Sequence, residues 1–300
     1  MPMKSSIAAI AIAAALFLPA RAEQQPTPAQ MEAIKKVMNT IGELQYQSGE
    51  IPLLDGKVKI KLTDDFRFLD PVSARKVLVD IWGNPPGAGS VTGLIVPKDV
   101  NFLEASSWAA VIQWSDVGYV KDGDYDGIDF NKMLAQLKEE SVEANRKRQA
   151  AGYGQMLLNS WATPPHYDKQ THKLYWAKAY DVNRPEQALN YDIRVLGRAG
   201  VIELSMIAGM AQLQEIEAKV PAILGMVDFT DGNRYADFKP GTDKVAAYGI
   251  AGLIAGGVLA KAGFFKLAWV FVAKFIKLII VGIVVLFAGI GKFFGKKKAA

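Results

Sequence analysis

The amino-acid sequence predicts an α+β fold, with a mainly antiparallel sheet and packed helices in an exported domain, followed by a C-terminal transmembrane helix or helical hairpin. Strand-like apolar runs recur between residues 91 and 206, and a short turn between two such runs cannot join parallel neighbours. Helical patterns precede and follow these runs, and long apolar segments stand at both ends of the chain. We therefore expect one folded domain over residues 31–244, with the flanking segments serving export and attachment.

Residues 1–22 have the features of a secretory signal peptide. Lys4 precedes an apolar core over residues 7–18, and an A-x-A cleavage pattern ends at Ala22. This core of about a dozen residues is too short to cross a bilayer. We expect removal of the segment during export across a bacterial inner membrane, and a Pro/Gln/Thr-rich linker over residues 23–30.

The first part of the domain is predicted to contain a helix, a hairpin and a second helix. Apolar residues keep helical spacing from Met31 until the pattern ends near Gly49. Alternating runs on both sides of the Asp-Gly pair at 55–56 predict a β-hairpin, because both turn positions favour positive φ. Asp70 followed by proline predicts a helix N-cap, and this helix should run to Trp82.

Most strands of the sheet are expected between residues 91 and 206, around one long helix. The predicted strands are 91–96, 108–114, a short piece at 118–120, 155–161, 173–180, 189–196 and 200–206. The long helix spans residues 130–151 and should end at Gly152. Helical spacing returns over residues 213–227, where Pro221 should interrupt or restart the helix because it lacks an N–H.

The charge distribution gives no reason to expect nucleic-acid binding. The whole chain has 35 Lys+Arg and 30 Asp+Glu, a net charge of +5. Two of the basic residues lie in residues 1–22 and eight in residues 245–300, and neither segment contains an acid. The part between them therefore has 25 basic against 30 acidic residues, which is mildly acidic rather than suited to a polyanion. The absence of cysteine excludes disulfides, thiolate catalysis and cysteine-ligated metals.

Residues 245–295 are predicted to anchor the chain in a membrane. The strongest span is 275–294, whose two lysines lie near its ends, where their stems can reach the headgroups. A candidate second span at 245–262 contains a GxxxG pair, which would allow self-association or contact with an envelope protein. One span places the basic tail, 296–300, in the cytoplasm, whereas two spans return it to the outside. We expect the lipid bilayer as a partner, and a location at the bacterial inner membrane with the main domain in the periplasm.

The acidic turn at residues 122–127 is the strongest candidate for a cation site. Its alternate aspartates and its glycine at the sixth place match the first half of a calcium loop. Position 12 is Met133, which cannot supply the bidentate carboxylate that closes such a loop. The alternative is a solvated turn in which Asp129 caps the following helix. No metal-binding residue is therefore assigned.

Two other patterns resemble known chemistry only in part. His166 and His172, with Asp168 between them, supply too few ligands for zinc, so we interpret both histidines as surface-loop residues. Ser73 and Lys76 form an S-x-x-K pair, but the S-D-N and K-T-G elements of penicillin-recognising enzymes are missing from the sequence. The sequence therefore assigns no catalytic or cofactor-binding residue, and no cofactor is expected.

Aromatic and basic side chains on the predicted strands are the remaining candidates. Arg194 and Arg198 flank a tight turn and could form structural pairs with Asp192, Asp237 or Asp243. Six aromatic residues lie near polar ones and could line a ligand groove or stack on sugars, although their strand spacing favours packing. These six are Trp114, Tyr119, Trp161, Tyr167, Tyr175 and Trp176.

Short motifs along nearly the whole mature chain indicate a relationship to a known family. They are Asn84-Pro-Pro; Trp114 with Tyr119-Val120; Ile128-Asp129; Asn145, Arg148 and Gly152; Trp161, Pro165 and Tyr167-Asp168; Leu174 and Trp176-Ala177; Leu189-Asn-Tyr191, Arg194, Leu196-Gly-Arg198 and Gly200; and Tyr235, Asp237-Phe238, Pro240, Asp243-Lys244 and Ala246-Ala-Tyr-Gly249. Together they resemble the domain-of-unknown-function 2167 family of predicted membrane-anchored bacterial proteins. The resemblance implies export and anchoring, and it implies no activity, since the family has no established reaction.

These observations predict a membrane-anchored envelope protein that binds or assembles rather than catalyses. Tethering would raise the effective concentration of the domain toward membrane partners. The alternative is an envelope hydrolase or sugar-active enzyme, whose carboxylate pair the sequence does not identify.

Overall fold

Two antiparallel sheets organise the domain in the computed structural model. The structure describes residues 28–82, 91–104, 106–150, 154–182 and 186–256. Its strands are β1 (Tyr46–Gln47), β2 (Glu50–Leu53), β3 (Val58–Lys61), β4 (Phe66–Leu69), β5 (Gly93–Pro97), β6 (Ala110–Ser115), β7 (Met156–Asp168), β8 (Lys173–Val182), β9 (Ala188–Leu196), β10 (Val201–Gly209) and β11 (Val227–Phe229). One sheet has the order β1-β4-β5-β6-β10-β9-β8-β7 and the other the order β11-β3-β2. The predicted α+β class with a mainly antiparallel sheet is confirmed.

Two of the helices begin at capping carboxylates that the sequence predicts. They are α1 (Pro28–Gly42), α2 (Pro71–Arg75), α3 (Phe130–Ala150), α4 (Leu213–Met226) and α5 (Ile250–Ala255), and α2 continues as a π-helix over Lys76–Ile81. Asp70 accepts a hydrogen bond from the Ser73 N–H at 2.7 Å at the start of α2. Asp129 accepts hydrogen bonds from the first N–H groups of α3, at 3.0 Å each, so its predicted capping role is confirmed.

The predicted hairpin joins β2 to β3. Leu54, Asp55 and Gly56 adopt φ values of 53°, 56° and 80°, so the Asp-Gly pair does supply the left-handed conformations of the turn. The carbonyl of Gly49 also accepts the N–H of Leu62 at 2.9 Å, just beyond the paired residues.

Two predicted elements are wrong. Residues 118–120 form no strand, because Tyr119 makes only an isolated parallel bridge with Val245. Helix α4 runs through Pro221 without a break. Pro221 and Glu217 are both exposed, so water can bond the carbonyl that loses its helical N–H partner.

Strand β7 is longer than predicted and lies at the edge of the large sheet. It continues through Pro164 and Pro165, and its pairing with β8 shifts register between Thr163 and His166. An edge strand tolerates proline because one side of its backbone needs no ladder partner. The two prolines therefore did not end the strand, contrary to the sequence interpretation of this region as a loop.

Helix α3 covers the outer edge of β7. Asn145 accepts the Met156 N–H and Ser141 accepts the Leu158 N–H, both at 2.8 Å. The Arg148 Nε donates to the carbonyl of Gly154 at 3.0 Å. These side chains satisfy edge groups that could otherwise pair with another chain.

The large sheet presents two different faces. One face packs as a single apolar cluster against α4 and the small sheet. The other face carries two separate clusters, and one of them, which includes Val37 and Ala188, lies under α1 and α2. The second cluster includes Trp176 and Ile250, and lies under α5 and the acidic turn. Polar side chains occupy the strip of sheet between these two clusters.

The chain remains part of the folded domain beyond the predicted boundary at residue 244. The Ala246 N–H donates to the Tyr119 carbonyl at 2.8 Å. Asp124 accepts the N–H groups of Ile250 and Ala251 at 2.9 and 3.0 Å, which caps α5. Ile250 is fully buried. Residues 245–256, called the docked segment below, therefore belong to the domain, and the boundary at 244 is too early.

The predicted export and membrane segments lie mostly outside the described residues. This holds for the signal peptide at 1–22, for most of the linker at 23–30, for the span at 275–294 and for the basic tail at 296–300. Within the described ranges, no helix has the length and apolar character needed to cross a membrane. The candidate span at 245–262 overlaps the docked segment, so it would require those residues to leave the domain.

Candidate functional site

A polar belt crosses the second face of the large sheet between the two apolar clusters. Cross-strand partners lie on the same face, and the register pairs Lys178 with Asn190, and Arg194 with Glu203. Along β9, Ala188 belongs to one cluster and Leu196 to the other, with polar residues at the alternate positions between them. The belt consists of Gln113, Ser115, Lys178, Asn190, Asp192, Arg194, Glu203 and Ser205.

A buried ion-pair network forms the centre of the belt. The Arg194 Nη2 lies 3.2 Å from Asp192 Oδ1 and 3.3 Å from Glu203 Oε2. The side chains are only 11%, 7% and 7% exposed, respectively. The Ser205 hydroxyl donates to Asp192 at 2.7 Å, and the Ser115 hydroxyl to Glu203 at 2.5 Å. The expected pairing of Arg194 with Asp192 is confirmed, and Glu203 is a second partner that the sequence did not reveal.

Lys178 lies at one end of the belt, between the sheet and α5. Its ammonium donates to the Ile254 carbonyl at 3.2 Å, and it lies 5.6 and 5.9 Å from the ring centroids of Trp161 and Trp176. Burial lowers the pKa of Lys178 to about 8, an effect that Asp192 opposes and Arg194 reinforces. Lys178 is therefore mostly charged at neutral pH but loses its proton far more readily than a solvated lysine.

We predict that Lys178 titrates with a pKa of about 8, against 10.5 for an ordinary lysine. The reason is that apolar surroundings penalise the ammonium more than Asp192 stabilises it. NMR of ¹³Cε-labelled lysine across pH 6–12 measures this value, and Lys178→Arg identifies the signal. A value of 10 or above would show that water solvates the ammonium.

Two buried polar atoms beside Lys178 have no hydrogen-bond partner among the described residues. They are the Trp176 Nε1, in a side chain that is 1% exposed, and the Asn190 Oδ1. Trp176 pairs across the strands with Asp192, and Asn190 pairs with Lys178, so the two residues occupy diagonal positions on one face. Arg194 lies 5.0 Å from the Trp176 ring centroid. Asn190 of the belt thus has an unpaired acceptor, and Trp176 of the adjoining cluster has an unpaired donor, both near Lys178.

A second polar group surrounds His172 at the turn between β7 and β8. The Tyr167 hydroxyl lies 2.9 Å from Asp122 Oδ2 and 3.0 Å from His172 Nδ1. Burial and Asp122 raise the pKa of Tyr167, so its proton stays on the oxygen. If that proton is donated to the Asp122 carboxylate, His172 Nδ1 must be the donor to Tyr167. His172 also begins a stack of four rings, which continues through Tyr235 and Tyr119 to Phe238. The successive ring centroids are 4.1, 4.4 and 3.9 Å apart.

We predict that His172 makes the fold less stable as the pH falls through about 6.5. Burial lowers its pKa, although Asp122 and Asp168 oppose this effect, so the unfolded chain takes up the proton first. The loss of stability is expected between the ordinary histidine pKa of 6.5 and the lower folded value, and to level off below it.

Urea unfolding of the wild type and His172→Asn at several pH values between 5 and 7.5 measures this effect. Asparagine tolerates the φ of 53° at this position, so the variant should keep the turn. Its free energy of unfolding should lack the pH dependence that His172 contributes. His166→Asn is the matched control, because His166 is exposed on β7. Equal pH slopes in the wild type and His172→Asn would contradict the prediction.

The acidic turn does not converge on one point. Asp122 bonds Tyr167, Asp124 caps α5, and Asp126 pairs with Lys169 at 2.5 Å. Each carboxylate therefore has its own protein partner. Within the described residues, no group of three or more His, Asp or Glu side chains is arranged to hold a metal ion.

The histidine interpretation is wrong in part. His166 is exposed as expected, but it lies on strand β7 and not in a loop. His172 lies in a turn, yet only 27% of its side chain is exposed, because it stacks on Tyr235. The sequence pattern gave no sign of this stack, since Tyr235 is distant along the chain.

The S-x-x-K pair is not arranged as a catalytic pair. Ser73 is buried, and its hydroxyl accepts the Gln45 N–H at 3.2 Å. The Lys76 ammonium bonds Glu43 at 2.6 Å. Both side chains therefore serve local packing, as the missing companion motifs indicate.

The other candidates are divided between the two sheet faces. Trp114 and Tyr175 pack with the cluster under α4, whereas Trp161 and Trp176 belong to the opposite face, so the six aromatics form no single groove. Arg198 makes a bidentate pair with Asp243, at 2.7 and 2.8 Å, as the sequence predicted. This pair lowers the pKa of Asp243 to about 2.

Comparison with known proteins identifies a family and distant structural similarity. The family model described as "Protein of unknown function (DUF2167)" matches residues 45–284. No curated protein matches the sequence.

Three solved structures match this chain at low similarity. The solution structure of cyanobacterial PsbP (CyanoP) from Synechocystis sp. PCC 6803 is 10% identical, with a TM-score of 0.33 over 62% of this chain and 92% of that one. A mutant of the protein Mog1 is 10% identical, with a TM-score of 0.34 over 62% and 97%. The Ran-binding protein Mog1p of Saccharomyces cerevisiae is 11% identical, with a TM-score of 0.32 over 66% and 100%. Similarity at this level carries no inference about function.

Proposed function

The chain belongs to the DUF2167 family, whose description names no activity, and we propose from its own residues that it is a membrane-anchored protein of the bacterial envelope whose folded domain binds a small polar ligand in the polar belt. The main domain would face the periplasm. The role is binding rather than catalysis.

Two unpaired polar atoms, one in the belt and one beside it, carry this proposal. Trp176 Nε1 and Asn190 Oδ1 are buried without partners among the described residues. Folded proteins rarely leave such atoms unpaired, because each one costs about 1–3 kcal/mol. Convergent polar groups beside apolar walls, with a shifted pKa at Lys178, are typical of ligand sites. The belt is partly exposed at Lys178, Asn190 and Arg194, so these are the side chains at which a molecule from outside the chain is expected to bind.

The alternative of an envelope hydrolase receives less support from the same geometry. Asp192 and Glu203 are the two carboxylates of the belt, and a hydrolase needs one of such a pair to carry a proton. Both instead bond the same Arg194 Nη2 and accept a serine hydroxyl. Both carboxylates are therefore held by structural partners, and neither is placed to transfer a proton to a substrate.

The sequence beyond the described residues supports attachment to lipid. The signal peptide at 1–22 and the apolar span at 275–294 together predict export followed by anchoring. Lys178 of the belt bonds the docked segment at Ile254, so the belt adjoins the part of the chain that leads to the predicted span. Self-association through the GxxxG pair would require undocking, since Tyr248 covers Gly252 in the domain.

Cell fractionation tests the location. The full-length protein should stay with membranes through an alkaline carbonate wash and should be cleaved by protease added to spheroplasts. A protein that remains dissolved without detergent, or is protected from that protease, would overturn the envelope part of the proposal.

Thermal unfolding in the presence of a periplasmic small-molecule extract tests the binding role. The extract should raise the Tm of the full-length protein, because a ligand that binds only the folded state stabilises it. The rise should disappear in Asn190→Leu, which removes one belt acceptor. An absent rise, or an equal rise in the variant, would overturn the binding role.

A further inference from the structure

The docked segment covers the polar belt at two places. The carbonyl of Ile254 accepts the Lys178 ammonium at 3.2 Å, so α5 lies over that end of the belt. Tyr248 lies near the centre of the belt, where burial and the charge of Glu203 raise the pKa of its phenol and Arg194 opposes the rise. Lys178 and Arg194 are two of the belt residues at which an outside molecule is expected to bind. The docked segment therefore partly closes the proposed site.

Among the described residues, a small number of polar contacts hold this cover in place. Asp124 caps the first N–H groups of α5, but Asp124 is an exposed residue, so water competes for its carboxylate. Lys178 and the backbone of Tyr119 hold the segment at two further points. The rest of the docking comes from the buried side chains of α5, which are Ile250, Leu253 and Ile254. We therefore expect the segment to open at a lower free energy than the sheet core.

A lipid bilayer offers the same apolar burial to these side chains. Residues 245–260 contain no charged residue, and the chain beyond them leads to the predicted span at 275–294. Because a tethered segment stays close to the lipid, its effective concentration at the membrane is high. Helix α5 ends at Gly256, whose φ of 103° is left-handed, whereas an apolar run in hydrocarbon must continue as a helix to satisfy its backbone. The segment therefore has two arrangements that exclude each other, as a switch requires.

We propose that the docked segment is a strap, which closes the polar belt while it lies on the domain and opens the belt when residues 245–260 enter the nearest lipid leaflet. A molecule that binds the open belt shifts the strap toward lipid, and insertion of the strap favours binding, because both events draw on one equilibrium. This regulation of binding rests on the proposed function. The opening itself requires no ligand and can be tested without one.

Spin labels can follow the strap, because the chain contains no cysteine that would react with them. Ala247→Cys places one label on an exposed position of the docked segment, and Lys132→Cys places another on the exposed start of α3. Pulsed EPR of the full-length protein, held in nanodiscs of phosphatidylethanolamine and phosphatidylglycerol, should give two distance populations. With Ala247→Cys alone, the label of the open population should contact oxygen dissolved in lipid and should be shielded from a water-soluble nickel chelate.

Asp124→Ala tests the cap that holds the strap on the domain. The variant loses the hydrogen bonds to the start of α5 and should raise the ratio of open to docked protein about tenfold. Asp126→Ala is the matched control from the same turn and should leave the ratio unchanged, because Asp126 pairs with Lys169 and not with α5.

A change of pH tests whether the strap covers Lys178. Docking buries this ammonium and favours its neutral form, so a rise from pH 8 to 9.5 should lower the ratio of open to docked protein about tenfold. Lys178→Met should remove this dependence. The charged groups that act on Lys178 are Asp192, Arg194 and Glu140, and groups of these types do not titrate in this range. An equal pH dependence in the wild type and Lys178→Met would show that the strap does not cover this end of the belt.

The remaining outcomes separate the strap from the binding role. A single docked population in both the wild type and Asp124→Ala would overturn the strap, and an open population whose label stays in contact with the nickel chelate would overturn the role of the lipid. The periplasmic extract, added to the doubly labelled protein, should raise the ratio of open to docked protein. An extract that raises the Tm without changing this ratio would overturn the regulation and leave the binding role intact. An extract that changes neither would overturn the binding role and the regulation together, and the EPR distances alone would then decide the opening.

Discussion

Arg194→Met is expected to lower the free energy of unfolding by about 3–5 kcal/mol, the range found when one partner is removed from a buried ion pair. The variant keeps a side chain of similar length but leaves Asp192 and Glu203 without their shared cation. Both carboxylates are 7% exposed, so water cannot easily replace the guanidinium. Urea or thermal unfolding of the two proteins measures the difference.

Two further variants show whether the loss arises from uncompensated charge. Combining Arg194→Met with Asp192→Asn and Glu203→Gln removes all three charges, and should recover much of the lost stability, since neutral groups cost less to bury. Arg198→Met should cost less than Arg194→Met, because its pair with Asp243 is more exposed. A loss below about 1 kcal/mol in Arg194→Met would mean that the carboxylates are solvated and that the belt is not enclosed.

The features that the sequence predicted well depend on chemistry within a few residues. Asp70 and Asp129 cap helices because a short carboxylate reaches N–H groups two or three positions ahead. The Asp-Gly pair at 55–56 fixes a hairpin because few residue types adopt positive φ. These local preferences remain the same whatever packs above them.

The belt escaped prediction because alternation on a strand does not show what covers its polar face. Asp192 and Arg194 alternate with apolar residues, which is also the pattern of a solvent-exposed face. Burial of this pair depends on clusters that contain Val37 and Ile250, which come from opposite ends of the domain. The available signal was the run of charged residues at matching positions on β8, β9 and β10.

The docked segment was assigned to the membrane because hydropathy does not distinguish a protein core from lipid. Residues 245–256 are apolar and glycine-rich, which suits both environments. The residue that fixes their position is Asp124, which caps Ile250 across 126 residues of sequence. The sequence analysis interpreted Asp124 as part of a cation loop, because the helix that it caps lies far from it along the chain.

Gly118→Ala is expected to undock residues 245–256 from the domain, at a cost of about 2–4 kcal/mol. Gly118 has a φ of 91°, which strains any residue with a Cβ, and an added Cβ would lie 2.6 Å from the carbonyl oxygen of Lys244. The same backbone of Lys244 accepts the Tyr119 N–H at 2.8 Å, so relief of the clash breaks the bond that begins the docked segment. Hydrogen exchange of the Ile250 and Ala251 amides measures the undocking, and should accelerate by about 10²-fold.

Gly123→Ala separates this effect from a general disturbance of the acidic turn. Gly123 lies five positions further along and has open space around the position of a Cβ, so its variant should leave the exchange of Ile250 unchanged. The Gly118 variant should retain slow exchange in β9 and β10, because the sheet core does not depend on Lys244. If Gly118→Ala leaves Ile250 as protected as in the wild type, Asp124 and Lys178 alone hold α5, and the contact between Tyr119 and the chain at 244–246 is not needed for docking. If hydrogen exchange of Ile250 accelerates equally in both variants, the cause is a disturbance of the acidic turn and not the contact between residue 118 and the Lys244 carbonyl.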